Sequence, residues 1–461
     1  MIMSFDSPVT RIIDSMKDEM NETLQRWIRI PSIKSAPLPD APFGADIKHM
    51  LDIAMDDCRR LGFYTKAFDG YAGHAELGEG DDREALGILA HLDVVPVGDG
   101  WTFPPFGAVI EDGRMYGRGT GDDIGPAVAA LYAMKAVKEA QIPLRRKVKL
   151  ILGCDEESGS ACMAYYKKAA VMPRSGFSPD ANYPVINIEK GMIRIRLSGK
   201  PSEEGIRIIS FNTGDRPNVI PGKATAHVSG DAATAARVNE IAQKLNIDAC
   251  AEAADNGVFI TVTGINGHAA FPESARNSIG EMLLILKELG AEGGIKELAD
   301  HIGPEYYGQS LNISVQDGIS GKLTCNLGMI RINEKEISAI LDIRYPVMTN
   351  PAMIVKNITG SFHHMNVKAI EQKEPHYVPE SSQLVQCLLD AYHEVTGNER
   401  KCLYTGGGTY ARELEEGVAF GAEFPGDKDL AHQANEYIDL GSLCTNAKIF
   451  ANAIVKLCGK E

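Results

Sequence analysis

An apolar run that ends in three consecutive acids sets the tightest condition on how this chain folds. Val148-Lys149-Leu150-Ile151-Leu152 is followed by Gly153-Cys154-Asp155-Glu156-Glu157-Ser158-Gly159. The run reads as a buried strand. Carboxylates crowded at the end of such a strand repel one another and lose hydration unless cations or protons compensate. Taken alone, the acidic trio reads as a solvated loop tip. The rest of the chain decides whether a cation belongs there.

The surrounding segments alternate between helix and strand. Residues 8–29 place Ile12, Ile13, Met16, Met20, Leu24, Trp27 and Ile28 at helical spacing, and Pro31 stops the helix. A second amphipathic helix covers 44–61. Ala85-Leu86-Gly87-Ile88-Leu89-Ala90 reads as a buried strand that delivers His91-Leu92-Asp93. The segment 100–118, rich in Gly, Pro and aromatics, reads as a loop or hairpin. A helix over 125–139 opens at Gly125-Pro126, and proline suits a first turn. Strand 148–153 then leads into the acids. This alternation predicts an α/β domain with a mainly parallel central sheet flanked by helices. Sites in such sheets gather beyond the carboxyl ends of strands. His91, Asp93, Glu156 and Glu157 all fall there.

Near residue 190 the pattern changes. Ile193–Leu197, Phe259–Thr263 and Glu336–Arg344 alternate apolar and polar residues, and helix-like stretches cover 231–246 and 278–290. We expect a separate α+β domain inserted over 191–375. Helices at 381–396 and 442–458 return to the first domain, which then consists of 1–190 and 376–461.

The formal net charge of −15 argues against nucleic acid and against an anionic membrane surface as partners. No apolar stretch reaches the roughly 18 residues of a transmembrane helix, and Met1–Thr10 lacks the features of a signal peptide. The nine cysteines are odd in number and scattered, with no CxxC, which argues against a disulfide framework or a thiolate zinc site. A cytoplasmic protein is expected.

Candidate metal ligands recur at loop positions: His91, Asp93, Asp122, Asp123, Glu156, Glu157, Asp180 and His432. Mixed His, Asp and Glu ligation suits zinc, manganese or cobalt in a hydrolytic site. Two metals could share a bridging carboxylate and activate a water, with one acid left free as general base. Each fragment has a plainer alternative. His91-Leu92-Asp93 reads as a polar pair, Asp122-Asp123 as a turn with a helix N-cap, Asp180 as a turn residue, and His432 with Glu436 as a surface pair.

In combination and order, these strings closely resemble the M20 metallopeptidase family, and within it the PepV-like dipeptidases. The matching strings are His91-Leu92-Asp93-Val94-Val95-Pro96, Gly117-Arg118-Gly119-Thr120-Gly121-Asp122-Asp123, Asp155-Glu156-Glu157-Ser158-Gly159, Phe177-Ser178-Pro179-Asp180-Ala181, Glu189-Lys190-Gly191 and Ala431-His432-Gln433-Ala434-Asn435-Glu436. The resemblance implies two divalent metal ions, Zn or Mn. His91 and Asp180 would serve one, Glu157 and His432 the other, and Asp122 would bridge them. It implies that Asp93 orients His91, that Glu156 is the general base, and that the Asp122–Asp123 peptide is cis. Ile124 departs from the Lys that many family members carry after the two acids, and Asp155 receives no role.

The resemblance also makes the first domain catalytic and the insertion a lid. His268 matches a lid histidine that donates to the oxyanion. Asn218 and Arg344 match positions that hold the substrate, Arg344 being suited to a terminal carboxylate. The Gly406-Gly407-Gly408-Thr409 stretch, Gly407 and Gly408 in particular, would let backbone N–H groups approach a ligand. The length of the insertion points to a monomer. The expected activity is hydrolysis of small peptides, namely dipeptides with a free C-terminal carboxylate. The alternative is an N-acyl-amino-acid deacylase or aminoacylase of the same family. A non-catalytic binding protein is the rival of a different class.

Overall fold

The computed structural model describes residues 7–460. It divides into two compact units. The first takes in the chain up to Asn187, Val378–Leu403 and the chain from Gly408. The second is Ile188–Tyr377 together with Tyr404–Gly407. The short return segment joins the second unit because Lys190 N–H donates to Thr405 O (2.9 Å) and Arg344 Nη1 donates to Gly406 O (2.7 Å). Neither contact has a local sequence signal.

The first unit is an α/β assembly. At the centre of its sheet, Val148–Gly153, Leu86–His91, Ser175–Ser178 and Glu416–Ala419 run parallel in that order. Ala72–Leu77 and Tyr64–Phe68 extend the sheet antiparallel beyond Val148–Gly153. Val148–Gly153 and Leu86–His91 are buried at every position, as strands covered on both faces must be. Gly73 faces Met55 of helix Ala45–Arg60, whereas the adjacent His74 hydrogen-bonds Tyr166 of helix Ala161–Ala169 (2.7 Å). Successive strand residues point to opposite faces, so helices cover both sides. Lys149, in the middle of the apolar run, is fully buried, with Glu76 and Asp82 carboxylate oxygens each 3.3 Å from its ammonium.

The predicted helix over 8–29 is two helices, Pro8–Ser15 and Lys17–Ile28, because Met16 leaves the helical conformation. Apolar spacing carries across that break, so periodicity alone does not reveal it. The 100–118 segment contains the hairpin Val109–Glu111/Arg114–Tyr116. Helices Ile124–Glu139 and Leu440–Cys458 pack into the same core as the central strands.

The second unit is α+β. Eight antiparallel strands form one sheet in the order Ala249–Ala254, Gly257–Thr263, Lys223–Val228, Ile208–Thr213, Thr324–Asn333, Ile337–Tyr345, Gly191–Gly199 and Met365–Lys373. Its own core joins these strands to helices Ala232–Leu245, Ser278–Glu288, Gly294–His301 and Pro351–Ser361. Among the described residues, no helix is long and apolar enough to cross a membrane.

One buried acid ties helix Lys17–Ile28 of the first unit to helix Ala45–Arg60. Asp57, on Ala45–Arg60, accepts from Trp27 Nε1 (2.9 Å), Arg26 Nη2 (2.8 Å) and Arg60 Nη2 (3.1 Å). Burial alone would raise its pKa, but these donors outweigh burial and hold it below the ordinary carboxylate value. Asp57→Asn is expected to cost about 1–3 kcal/mol at neutral pH, read by urea denaturation. The folded value lies below the unfolded one of about 3.9. The stabilisation is therefore present above that pH and is lost as pH falls through the folded value, so the gap between wild type and variant closes in acid.

Candidate metal centre

The strand ends bring the acids and histidines of the first unit to one place. His91 is the last residue of its strand, and its Nε2 lies 2.9 Å from Asp122 Oδ1 and 3.8 Å from Asp180 Oδ2. His432 Nε2 lies 3.1 Å from Asp122 Oδ2 and 2.9 Å from Glu157 Oε1. Asp122 thus turns one oxygen to each imidazole. Ligand atoms of His91, Asp122 and Glu157 lie within 4.8 Å of one another, as do those of His91, Glu156 and Asp180. The Asp122–Asp123 peptide is cis.

The protonation states follow from crowding. Burial alone would lower both imidazoles. Against it, Asp122 and Asp180 raise His91 well above its ordinary value, and Asp122 with Glu157 raises His432 to about 10. Burial would raise Asp122, but the two imidazoles hold it down. Asp180 is pushed well up by burial and by Asp122. Glu156 is pushed up to about 8 by burial, with Glu157, Asp93 and Asp122 adding to the rise and His91 opposing it. Five carboxyls thus crowd two imidazoles. Imidazole nitrogens and carboxylate oxygens at this spacing, with no thiolate among them, fit divalent zinc or manganese.

The surrounding chain fixes these groups. Asp93 is 1% exposed, and its two oxygens accept the backbone N–H groups of Glu156 (3.0 Å) and Glu157 (3.1 Å). The nearest acceptor for His91 Nδ1 is the Asp93 backbone carbonyl at 2.9 Å, with the Asp93 carboxylate at 3.7 Å. Asp93 therefore addresses the imidazole mainly through its main chain and the acidic turn through its side chain. Asp123 begins the helix Ile124–Glu139 without capping it by its side chain; its Oδ2 instead accepts the His91 N–H (3.1 Å). Ile124 is fully buried behind Gly119.

Two acids outside the predicted set support the cluster. Asp155 is 1% exposed and pairs with Lys34 Nζ at 2.6 Å. Glu436 is not a surface partner of His432. It is buried, pairs with Arg118 Nη1 at 2.7 Å, and accepts from the N–H groups of Gly119 (3.0 Å), Gly121 (2.9 Å) and Asp122 (3.3 Å). It holds the loop that presents Asp122. Arg118 and Glu436 both lie in strings that flagged the site, but nothing in the spacing pairs them. His432 itself sits at φ +64°, a left-handed backbone conformation uncommon outside glycine.

In the second unit, the backbone segments that carry Asn218, His268 and Arg344 are linked through Ala269, Ala270 and Gly406. Asn218 O accepts from Ala269 N–H (2.9 Å), and Val219 pairs with His268. Gly406 lies so close to Ala270 that a Cβ would fall 2.6 Å from the alanine methyl, and its carbonyl accepts from Arg344. His268 is exposed and Arg344 is buried. Arg344 also donates from Nε (2.5 Å) and Nη2 (3.1 Å) to Asp342. One N–H on each terminal nitrogen remains beyond these bonds. Gly407 N–H already donates to Thr405 Oγ1 (3.0 Å), and Gly408, in the first unit, is exposed. The glycine that close packing demands is Gly406.

Glu436→Ala removes the one carboxylate that, among the described residues, pairs with buried Arg118. It is expected to destabilise the fold by about 3–5 kcal/mol in urea denaturation. Glu436→Gln, which keeps an acceptor for the loop N–H groups, is expected to lose less.

Residues 87–456 match peptidase family M20/M25/M40. A protein of Bacillus subtilis (strain 168) named "Putative dipeptidase YtjP" is 37% identical over 460 residues, covering 96% of this chain and 97% of its own. The Beta-Ala-Xaa dipeptidase of Lactobacillus delbrueckii subsp. lactis is 35% identical over 466 residues, covering 98% of each. Among solved structures, the di-peptidase Dug1p of Saccharomyces cerevisiae superposes with a TM-score of 0.61 at 16% identity over 99% of each chain, a likeness of fold. With its acids and imidazoles gathered at the strand ends, this chain belongs to peptidase family M20/M25/M40.

Proposed function

We propose that this protein is a two-metal dipeptidase acting on dipeptides with a free C-terminal carboxylate. The observation that carries the proposal is Asp122 turning one oxygen to each imidazole, with Asp180 on the His91 side and Glu157 on the His432 side. His91, Asp122 and Asp180 would hold one ion, and Asp122, Glu157 and His432 the other. Bound divalent metals polarise the scissile carbonyl and lower the pKa of the attacking water. The names of the two curated relatives support the dipeptide as substrate class.

Glu156 is the proton carrier. Its backbone is pinned by Asp93, and no hydrogen bond from the described residues occupies its carboxyl. A carboxyl held beside the attacking water in this way can both take and return a proton. It takes the proton of the attacking water and returns it to the leaving amine nitrogen. Asp93 keeps the acidic turn in register. In the second unit, Arg344 and Asn218 are assigned to the C-terminal carboxylate, through the N–H groups that Asp342 and Gly406 leave available on the guanidinium. His268 is assigned to the developing oxyanion.

Metal-free protein reloaded with Zn²⁺ or Mn²⁺ should hydrolyse dipeptides and leave tripeptides and N-acetyl amino acids largely intact. Comparable tripeptide turnover would remove the dipeptidase assignment, and turnover of N-acetyl amino acids alone would make the chain a deacylase. Glu156→Gln is expected to lose about 10²–10⁴-fold in kcat while still taking up metal. Unchanged kcat would show that Glu156 does not carry the proton.

A further inference from the structure

Asp155 is the member of the acidic trio without a catalytic assignment, and its surroundings give it one of another kind. Its Oδ1 accepts from Lys34 Nζ (2.6 Å) and Ser158 Oγ (2.5 Å), and its Oδ2 from Ala161 N–H (3.0 Å). Its main-chain carbonyl accepts from Ser160 N–H (2.6 Å). Lys34 Nζ donates in addition to Ser158 Oγ (2.8 Å), so the ammonium bridges both ends of the turn that contains Glu156 and Glu157. The neighbouring backbone reaches the other loop of the site. Ser32 O accepts from Val94 N–H (3.0 Å), and Ile33 forms a parallel bridge with Val94, next to Asp93. The three residues Ser32–Lys34 therefore fasten the His91–Asp93 loop with their main chain and the acidic turn with one side chain.

We propose that Lys34 is a positioning residue: held against Asp155 and Ser158, it fixes the turn so that Glu157 meets the metal and Glu156 faces the reacting water. This extends the metal-site assignment above and rests on it. Lys34 is partly exposed, with its ammonium 5.2 Å from the Phe43 ring centroid, so its removal opens no core cavity.

The sign of the effect separates positioning from simple electrostatics. Lys34 is a positive charge beside a cation site, and by Coulomb's law alone its loss tightens metal binding. A positioning role requires the reverse, because loss of a residue that orients a ligand typically weakens metal affinity by about 10–100-fold. Calorimetric titration of metal-free protein with Mn²⁺ reads this directly. Lys34→Met should bind Mn²⁺ at least about 10-fold more weakly and, at saturating Mn²⁺, lose kcat with little change in KM. Lys34→Arg, which restores a donor to Asp155, should recover both. Lys34→Met with equal or tighter Mn²⁺ binding overturns the proposal, as does a loss confined to the unfolding midpoint. If wild-type protein takes up no Mn²⁺ or Zn²⁺, the metal-site assignment itself fails, whatever the variants do.

Discussion

Negative charge packed at the carboxyl ends of a buried parallel sheet is the constraint around which the first unit is arranged. Asp93, Asp122, Glu156, Glu157 and Asp180 converge there with two imidazoles between them. Charge of this density persists in a folded chain only where something compensates each carboxyl. The compensation is graded. The outer acids are filled by the protein itself: Asp93 by two backbone N–H groups, Glu436 by Arg118 and three more, Asp155 by Lys34 and a helix N–H. The inner acids are left with imidazoles and with one another. Under the proposed assignment, the acids whose oxygens are taken by the protein are supports, and those that face imidazoles and other acids are the ligands and the base.

A similar division runs through the second unit on a smaller scale. Asp342 is fully buried between Arg194, on the adjacent strand, and Arg344, two residues along its own. Arg194 passes on to Glu371 of the edge strand. The chain Glu371–Arg194–Asp342–Arg344 fixes the guanidinium of Arg344 in a plane and consumes part of its donor set. What remains is one N–H on each terminal nitrogen of a fixed guanidinium. That suits one carboxylate better than a mobile arginine would, since little rotamer entropy is left to lose on binding.

Much of the fold was legible because its information is local. The run Val148–Gly153 is a strand over its full predicted length, since an unbroken apolar stretch bounded by glycine has few other ways to bury itself. The helices over 125–139 and 44–61 shift by a residue or two at their ends. The strand Ala72–Leu77 carries Gly73, His74 and Glu76, and so presents no clean alternation. Glu76 belongs in the sheet because buried Lys149 needs it. The candidate site was legible for a different reason: acids and imidazoles at strand ends have few structural uses, and their order along the chain resembles a known family. Their supports were not legible. Lys34 and Asp155 stand 121 residues apart, and Arg118 and Glu436 stand 318 apart. An ion pair leaves no mark on either local pattern, and a lysine in a loop looks the same whether or not a buried carboxylate awaits it.

The three consecutive acids after the strand show how far one short string can be divided. Asp155 turns into the protein, where a cation and a helix N–H group meet it and burial is tolerated. Glu156 and Glu157 are bound through their backbone N–H groups to a single carboxylate, so their side chains are free to leave the turn in different directions. Glu157 goes to His432, and Glu156 stays among acids, where burial and repulsion raise its pKa. Their chemistry differs although the two side chains are identical. Asp93 anchors both main chains, and from that common anchor the Glu157 carboxyl reaches His432 while the Glu156 carboxyl lies near His91 and Asp180. Under the proposed assignment, that shared anchor holds the ligand and the base side by side on one turn.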